Sequence, residues 1–312
     1  MIRRIRRLLR GRTGHVKVGI GDDCLVLRDG TVVTIDSFVE GIHFDLAYFD
    51  FRALGHRLMA GTLSDLAAMA ARPLVSVVSL LLPPRVRARQ VEDFYRGARR
   101  LAGKFDCPIA GGDTDRAPVF AVSIAALGRA TNPILRSAAR PGDLLYLTGY
   151  PGLSEAGRLV LKNHLKKSQF PRAIEKHLRP VPRIREAYGL RRFIRAMIDT
   201  SDGLSTDAYH LAEESKVKII IKREAIPVHR EVHRIIERLH LDQDRFILSS
   251  GEDFELLFSS PAVLPGRIGN ARLGPIGHIE AGQGVFITRQ GRPVRLEITG
   301  YDHFREIYVT QH

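Results

Sequence analysis

Aspartates placed beside strand-like runs are the residues of this sequence most able to do chemistry. Residues 19–44 carry Asp22, Asp23 and Asp36, each next to a short apolar run, with glycine-containing turns between them. Carboxylates crowded at strand ends repel one another unless a cation lies among them. Short aspartate side chains on stiff backbone suit the octahedral coordination that Mg²⁺ requires. The stretch therefore predicts a charged edge of a sheet that holds divalent ions.

The same local pattern recurs further along the chain, at Asp65 in TLSDLAAMAARP, Asp113 in IAGGDTDR, and Asp199 and Asp202 in MIDTSDGLSTD. Each of these aspartates alone could cap a helix or close a turn. Together they lie on glycine-bearing loops after strands, where ligands are commonly held. Because the sequence has no HExxH motif and no cysteine cluster, the pattern favours an oxygen-only site for Mg²⁺ or Mn²⁺.

Composition limits the class of protein. A chain of 312 residues is long for one core, so two domains are expected. The net charge of +14 favours anionic ligands, either phosphorylated metabolites or nucleic acid. No apolar run reaches the roughly 18 residues of a membrane span, so we expect no membrane insertion. Cys24 and Cys107 have no CxxC spacing, which indicates a reduced, cytoplasmic chain without a zinc site.

Apolar patterning predicts strands and helices in both halves of the chain, in an α+β or mixed α/β arrangement. The segment 131–143 has two prolines and no clear period, and is the expected domain boundary. Helices are expected at 51–71, 86–104 and within 153–195, and strands at 74–82, 119–127, 144–148, 217–221, 255–258 and 285–288. The first twelve residues, MIRRIRRLLRGR, predict a surface helix that packs a narrow apolar stripe on the body; a nucleic-acid or membrane-binding arm is the alternative.

No Walker motif is present, so phosphate would have to be held by other groups. The backbone at Gly19, Gly21 or Gly112 could approach a phosphate closely. Arg136 and Arg140 could bind phosphate or could be solvated surface charges.

A series of motifs carries a resemblance to a known family: GIGDDCLVL, TIDSFVEGIHF, LSDLAAMAARP, GGDTDR, RSAARPGDLLYLTG, IDTSDGLSTD, SSGEDFELLF and GYDHF. Their order and approximate spacing over residues 19–304 resemble the thiamine-monophosphate kinases, members of the aminoimidazole ribonucleotide synthetase and selenophosphate synthetase superfamily. The resemblance implies a PurM-like fold, with an Mg-ATP-binding and dimerisation domain at 1–135 and a domain that completes the site at 136–312. It also implies a homodimer whose N-terminal sheets join into a β-barrel.

The resemblance implies Mg²⁺-dependent transfer of the γ-phosphate of ATP onto thiamine monophosphate, giving thiamine diphosphate. The second pKa of a phosphate monoester is about 6, so the acceptor is largely dianionic at neutral pH and is its own nucleophile. We therefore expect no general base and no obligatory catalytic side chain. Neutralising and aligning the two polyanions is the main task of such a site.

Carried over by position, the resemblance implies these roles for single residues. The metal-binding positions are Asp23, Thr34, Ile35 through its carbonyl, Asp36, Asp65, Asp113, Asp199 and Asp202. The ATP-binding positions are Tyr95, Gly112, Asp113, Arg136 and Ser201, and the positions nearest the thiamine group are His43, Glu252 and Tyr301. His43 could instead be a packing residue, and Glu252 could cap the segment that follows it. Thr62, Ser250 and Asp115 depart from the usual family residues without removing a predicted ligand.

Two other functions fit parts of the sequence. Another reaction of the superfamily, on a formyl-amidine or on selenide, would use the same motifs; selenide chemistry needs a reactive cysteine, and only Cys24 lies near the N-terminus. A nucleic-acid-binding protein would explain the charge, but the sequence lacks aromatic interleaving and helix-turn-helix signals. We therefore expect no nucleic-acid partner.

Overall fold

The computed structural model describes residues 2–9 and 14–298. The chain divides into two compact units, Met1–Arg136 with Pro182–Arg192 (unit 1) and Ser137–Val181 with Phe193–His312 (unit 2). Each unit combines a main β-sheet with helices, which confirms the mixed α+β class expected from the sequence. Within the ranges described, no helix is both long enough and apolar enough to cross a bilayer.

The helices and strands have the following bounds. The strands are, in chain order, β1 (Val16–Val18), β2 (Leu25–Leu27), β3 (Thr31–Val39), β4 (Arg72–Leu82), β5 (Ile109–Arg116), β6 (Ala121–Arg129), β7 (Leu144–Thr148), β8 (Ala196–Asp199), β9 (Lys218–Ile221), β10 (Leu256–Ser260), β11 (Arg267–Ile268), β12 (Ala271–Glu280), β13 (Gly284–Arg289) and β14 (Arg292–Arg295). The helices are α1 (Ile2–Leu8), α2 (Phe51–Ala68), α3 (Ala88–Ala102), α4 (Leu153–Lys162), α5 (Pro171–Leu178), α6 (Ile184–Leu190), α7 (Leu204–Ser215), α8 (Arg230–Arg238) and α9 (Gln243–Ser249).

The sheet of unit 1 has the strand order β1-β2-β3-β6-β4-β5, with β4 and β5 parallel and the other pairs antiparallel. Its edge strands are not paired with each other among the described residues, so the sheet is open in the single chain and the dimeric barrel stays a prediction. Helix α2 covers one face, where Val32 and Thr34 of β3 are buried. The side chain of Ile35 lies on the opposite face and is 68% exposed.

Helices α2 and α3 cross at a very short distance because glycines face each other's backbone. A methyl group on Gly55 would lie 2.0 Å from the carbonyl oxygen of Phe94, and one on Gly97 would lie 1.9 Å from that of Arg52. Gly55 lowers the intrinsic stability of α2 but allows a close contact with α3 that no larger residue permits. The N-cap Asp50, whose carboxylate accepts the N–H of Ala53, fixes where α2 begins.

Unit 2 is built on a second sheet with the order β14-β13-β9-β12-β7-β10-β8, to which β11 adds by pairing with β12. The pair β13 and β9 is parallel and the others are antiparallel. One hydrophobic cluster joins this sheet to α7, and a second lies among α4, α5 and α8. The strands β7, β10 and β8, which are buried along most of their length, carry the loops that matter most below.

The sequence pattern does not predict β8 or β12. Strand β12 contains Gly274, Pro275 and Gly277, which ordinarily interrupt strands. A register shift between Pro275 and Gly277 accommodates the proline. Gly277 is required by the neighbouring strand, because a methyl group there would lie 2.0 Å from the carbonyl oxygen of Ile220. Glycine and proline usually predict the end of a strand, but in β12 they allow an irregularity in register and a close backbone contact.

Several positional expectations are wrong. Asp65 and Asp113 do not lie on loops after strands: Asp65 is inside α2, and Asp113 is inside β5. Asp36 does not lie at a strand end: it is inside β3, opposite Ile124 of β6. The helix expected at the N-terminus is present, but Leu8 is 83% exposed, so its side chain does not pack on the body as the amphipathic pattern predicts.

Candidate functional site

The first group of candidate residues in unit 1 is organised by Arg136. Its Nε and Nη2 atoms donate to the two carboxylate oxygens of Asp23, at 3.0 and 2.6 Å, and its backbone N–H donates to Asp22 at 3.2 Å. The Asp23 side chain is only 1% exposed, so this bidentate pair supplies the compensation that a buried carboxylate needs. The turn that precedes β2 is thereby held to the end of unit 1.

The second group joins β3 to α2 through two threonine–aspartate pairs. The Thr34 hydroxyl on β3 donates to Asp65 of α2 at 2.5 Å. The Thr62 hydroxyl, one turn before Asp65, hydrogen-bonds Asp36 of β3. Carboxylate oxygens of Asp65 and Asp23 lie within 4.8 Å of each other, so the two groups meet. Unit 1 thus gathers Asp23, Thr34, Asp36 and Asp65 around the α2-covered side of β3.

Two carboxyl groups of this acidic region, Asp22 and Asp36, are costly to keep charged because they are largely buried. Burial, together with the charge of Asp23, raises the pKa of Asp22 to about 7, and Arg136 opposes the rise only in part. Burial raises the pKa of Asp36 to about 6, against the hydrogen bond from Thr62. Hard oxygen donors that are costly to leave charged without a partner are what a divalent cation such as Mg²⁺ would bind. The donor set therefore fits the predicted metal.

The other predicted metal positions of unit 1 lie elsewhere on the sheet. Asp113 is exposed on the edge strand β5, where its Oδ1 accepts the N–H of Thr114 at 2.8 Å. It belongs to no hydrogen-bonded group with Asp23, Asp36 or Asp65 among the described contacts. Only the backbone of Ile35 is available to a ligand on the α2 side, since its side chain points away.

The predicted ATP and acceptor positions of unit 1 are held by backbone geometry. A methyl group on Gly112 would lie 1.8 Å from the carbonyl oxygen of Val78, so only glycine fits that position. Tyr95 lies on α3, and partial burial raises the pKa of its phenol. His43 follows β3, and its Nδ1 accepts the N–H of Val39 at 3.0 Å. His43 is thus both ordered and near the strand that carries Asp36.

In unit 2 the predicted positions gather on two touching loops. Asp199 ends β8 and is buried, and Ser201 and Asp202 follow it before α7 begins. The carbonyl oxygen of Ser201 accepts the N–H of Glu252 at 2.8 Å. A predicted nucleotide residue and a predicted acceptor residue therefore lie side by side. Tyr301, the remaining predicted acceptor residue, lies outside the described residues.

Sequence reasoning missed a buried polar group next to Glu252. The Asp253 carboxylate accepts the N–H groups of Gly152 and Ser154, at 2.6 and 2.9 Å. Lys176 of α5 forms a 2.5 Å ion pair with Glu255. The GEDFE run contains both acids, so their presence was visible in the sequence; the lysine that faces them lies far away along the chain and no local pattern marks it.

Comparisons with known proteins agree with this arrangement. The family model for AIR synthase related protein, N-terminal domain, matches residues 21–130, in keeping with a PurM-like fold. The thiamine-monophosphate kinase of Salmonella typhimurium is 37% identical over 307 residues, covering 93% of this chain and 92% of the relative.

Two solved structures are similar over nearly the whole chain. One, described as AaThiL complexed with AMPPCP and TMP, has a TM-score of 0.86 and 31% identity, and covers 97% of this chain and 96% of that one. The other, thiamine monophosphate kinase from Aquifex aeolicus, has a TM-score of 0.84 and 30% identity, and covers 95% of this chain and 97% of that one. By its identity to relatives matched over most of their length, the chain belongs to the thiamine-monophosphate kinase family.

Proposed function

We propose that this protein transfers the γ-phosphate of ATP to thiamine monophosphate, giving thiamine diphosphate and ADP. The observation that carries the proposal is the likeness, over 97% of the chain, to a structure that holds AMPPCP and TMP. The acidic group of unit 1 supports it independently, because it offers the oxygen donors that a magnesium-dependent phosphoryl transfer needs.

Asp23, Asp36 and Asp65 would hold Mg²⁺, with the Thr34 hydroxyl and the Ile35 carbonyl as further donors. Asp113, Asp199 and Asp202 complete the proposed set. When bound, the ions would supply charge neutralisation for the phosphates. The chain's own part is to keep the carboxylates ordered before any ligand arrives, which the Thr34 and Thr62 hydroxyls and Arg136 support. Because an acceptor phosphate is already dianionic at neutral pH, no side chain has to remove a proton.

The nucleotide would be bound by Tyr95, Gly112, Arg136 and Ser201, and the acceptor by His43, Glu252 and Tyr301. The position of Gly112 in this set follows the family resemblance alone, because the structure already requires glycine there for its contact with β4. Glu252 is a suitable neighbour for a thiazolium ring, which carries a positive charge. Arg136 would have a double task, because it also orders Asp23.

A homodimer that closes the sheet of unit 1 into a barrel is part of the proposal. The face of that sheet opposite α2 carries exposed apolar side chains, including Ile35 on β3 and Val77 and Leu81 on β4. Burying such a face against a second copy would remove apolar surface from water. Residues 1–135 would then serve dimerisation and Mg-ATP binding, and residues 136–312 would complete the site. A cytoplasmic location also belongs here, since two buried free cysteines suit a reducing compartment.

The direct test is to incubate the purified chain with ATP, Mg²⁺ and thiamine monophosphate and to follow products by ³¹P NMR. We expect thiamine diphosphate and ADP in equal amounts, and neither when EDTA is added. Free thiamine serves as the matched control, because it lacks the phosphate acceptor and should not react. Turnover of ATP with some other acceptor, and none with thiamine monophosphate, would contradict the proposal.

A further inference from the structure

A loop of unit 2, residues 251–254, is held in an unusual backbone conformation. Glu252 and Phe254 both have left-handed backbone, with φ of 58° and 49°. Residues with a side chain rarely adopt this region, and they keep it only where the surroundings fix them. Because Glu252 is the proposed acceptor residue, whatever fixes this loop also determines where its carboxylate lies.

Hydrogen bonds hold the loop from two sides. On one side, the N–H groups of Glu252 and Phe254 donate to the carbonyl oxygens of Ser201 and Thr200, at 2.8 and 2.9 Å. On the other side, the carboxylate of Asp253 receives two backbone N–H groups at the start of α4. The side chain between the two left-handed residues is therefore the anchor of the loop.

Asp253 and the nearby Glu255 are both buried, and the positive charge of Lys176 acts directly on Glu255 and at longer range on Asp253. The Lys176 ammonium group pairs with Oε1 of Glu255 at 2.5 Å, while Thr148 donates to Oε2 at 2.6 Å. The packing is close, since a methyl group on Gly149 would lie 2.3 Å from the Glu255 carboxyl group. Two buried carboxylates without a cation would be strongly unfavourable and would rearrange to reach water.

We propose that Lys176 is a positioning residue of the acceptor site: its ammonium group pairs with Glu255 in the interior, beside Asp253, and these two carboxylates in turn hold the loop that presents Glu252. Lys176 lies on α5, and its side chain is only 11% exposed and is paired with Glu255, so its loss would act on the loop through the carboxylates. The role assigned to Glu252 rests on the proposed function; the control of the loop by Lys176 does not.

Kinetics of three variants test the proposal. Lys176→Met keeps most of the stem but removes the charge, Lys176→Arg keeps the charge, and Lys162→Met removes an exposed lysine of α4 as the matched control. We expect Lys176→Met to raise the KM for thiamine monophosphate by about tenfold, with a smaller change in the KM for ATP. Lys176→Arg should restore most of the loss. Equal KM values for Lys176→Met and the control would overturn the proposal.

If Lys176→Met does not fold, the double variant Lys176→Met with Glu255→Gln removes a carboxylate together with its cation, which proteins tolerate better than an unpaired charge. The positive charge near Asp253 is still missing in this variant and Glu255 has lost its ion pair, so we expect the raised KM for thiamine monophosphate to persist. A double variant with the KM of the unchanged protein would contradict the role of Lys176.

Hydrogen exchange separates this inference from the proposed function. In Lys176→Met or the double variant, the amides of residues 252 and 254 should exchange about tenfold faster than in the unchanged protein, whatever reaction the protein catalyses. If the unchanged chain fails to phosphorylate thiamine monophosphate but exchange still accelerates, only the proposed function falls. Unchanged exchange rates at these two amides would show that Lys176 does not control the conformation of the loop.

Discussion

The guanidinium group of Arg136 binds both carboxylate oxygens of Asp23, with N–O distances of 2.6 and 3.0 Å. Arg136, the last residue of the first segment of unit 1, therefore orders the acidic turn before β2. Burial, followed by the charge of Asp23, still raises the pKa of the adjacent Asp22 to about 7, although Arg136 lowers it. Because charged Asp22 is costly to bury, the group should respond to both protons and divalent ions.

Stability should depend on pH and Mg²⁺ together. The pKa values of Asp22 and Asp36 are raised to about 7 and about 6, so the folded state holds these protons more tightly than the unfolded chain does. Their contribution to stability is therefore full below about pH 4 and is lost as the pH rises through about 6 to 7.

Differential scanning calorimetry checks this dependence. Without divalent ions, the Tm should fall between about pH 5 and about pH 8. Excess Mg²⁺ should raise the Tm by about 4 °C or more at the higher pH and by much less at the lower pH. Asp36→Asn should reduce the Mg²⁺ effect. An Mg²⁺ shift of the same size at both pH values would count against metal binding by this group.

Asp65→Asn and Asp113→Asn should each lower kcat far more than they lower stability. Asparagine keeps the shape of the side chain but is a much weaker ligand for Mg²⁺, so we expect a loss of turnover of at least about 100-fold. Asp113 is exposed on an edge strand, so its replacement should change the free energy of unfolding by less than about 0.5 kcal/mol. Turnover assays and urea unfolding on the same preparations make the comparison. Variants that are largely unfolded would assign both residues a structural role.

Adjacent glycines on β5 should respond very differently to the same substitution. Gly112→Ala places a methyl group 1.8 Å from backbone of β4, which cannot move aside, and should destabilise unit 1 by about 3 kcal/mol or more. Gly111→Ala is the matched control, because its methyl group would meet only the Val77 side chain at 3.6 Å. Urea unfolding of both variants gives the difference. Equal stabilities would show that β5 can separate from β4 without cost.

The proposed dimer depends on the exposed apolar face of the unit 1 sheet. Val77→Glu would place a charge in the centre of that face, and we expect the protein to change from dimer to monomer in size-exclusion chromatography with light scattering. Val263→Glu, on an exposed loop of unit 2, should leave the dimer intact. A dimer that survives Val77→Glu unchanged would locate the interface elsewhere.

Local sequence patterns predicted much of this fold, because several of its main helices and strands have a clear pattern of apolar residues. The long helix α2 and the buried strand β4 follow directly from runs of apolar residues. Strand β12 could not be recognised, since its glycines and proline serve contacts with neighbouring strands that only the tertiary structure creates. Asp36 was expected at a strand end because a carboxylate inside a strand is unusual unless a distant residue, here Thr62, supports it.

The candidate site shows the same division. Motifs identified the aspartates one by one, and the structure brings Asp23 and Asp65 within 4.8 Å through two elements far apart in the chain. The pairing of Arg136 with Asp23 could not be foreseen, because a lone arginine in a proline-containing segment reads equally well as a solvated charge. No local pattern marked Lys176, because its partner Glu255, just before β10, is far away in the sequence and comes close only in the folded chain.

The close crossing of α2 and α3 at Gly55 and Gly97 helps to determine where Asp65, further along α2, is placed. Asp65 lies ten residues beyond Gly55, about 15 Å along the axis of α2. A substitution that pushes α2 away from α3 at Gly55 would tilt the helix and so displace Asp65. A bulky substitution at that crossing would therefore damage phosphate chemistry without touching any ligand. Inactivating changes in natural variants of this enzyme should accordingly occur at the pivot as well as among the carboxylates.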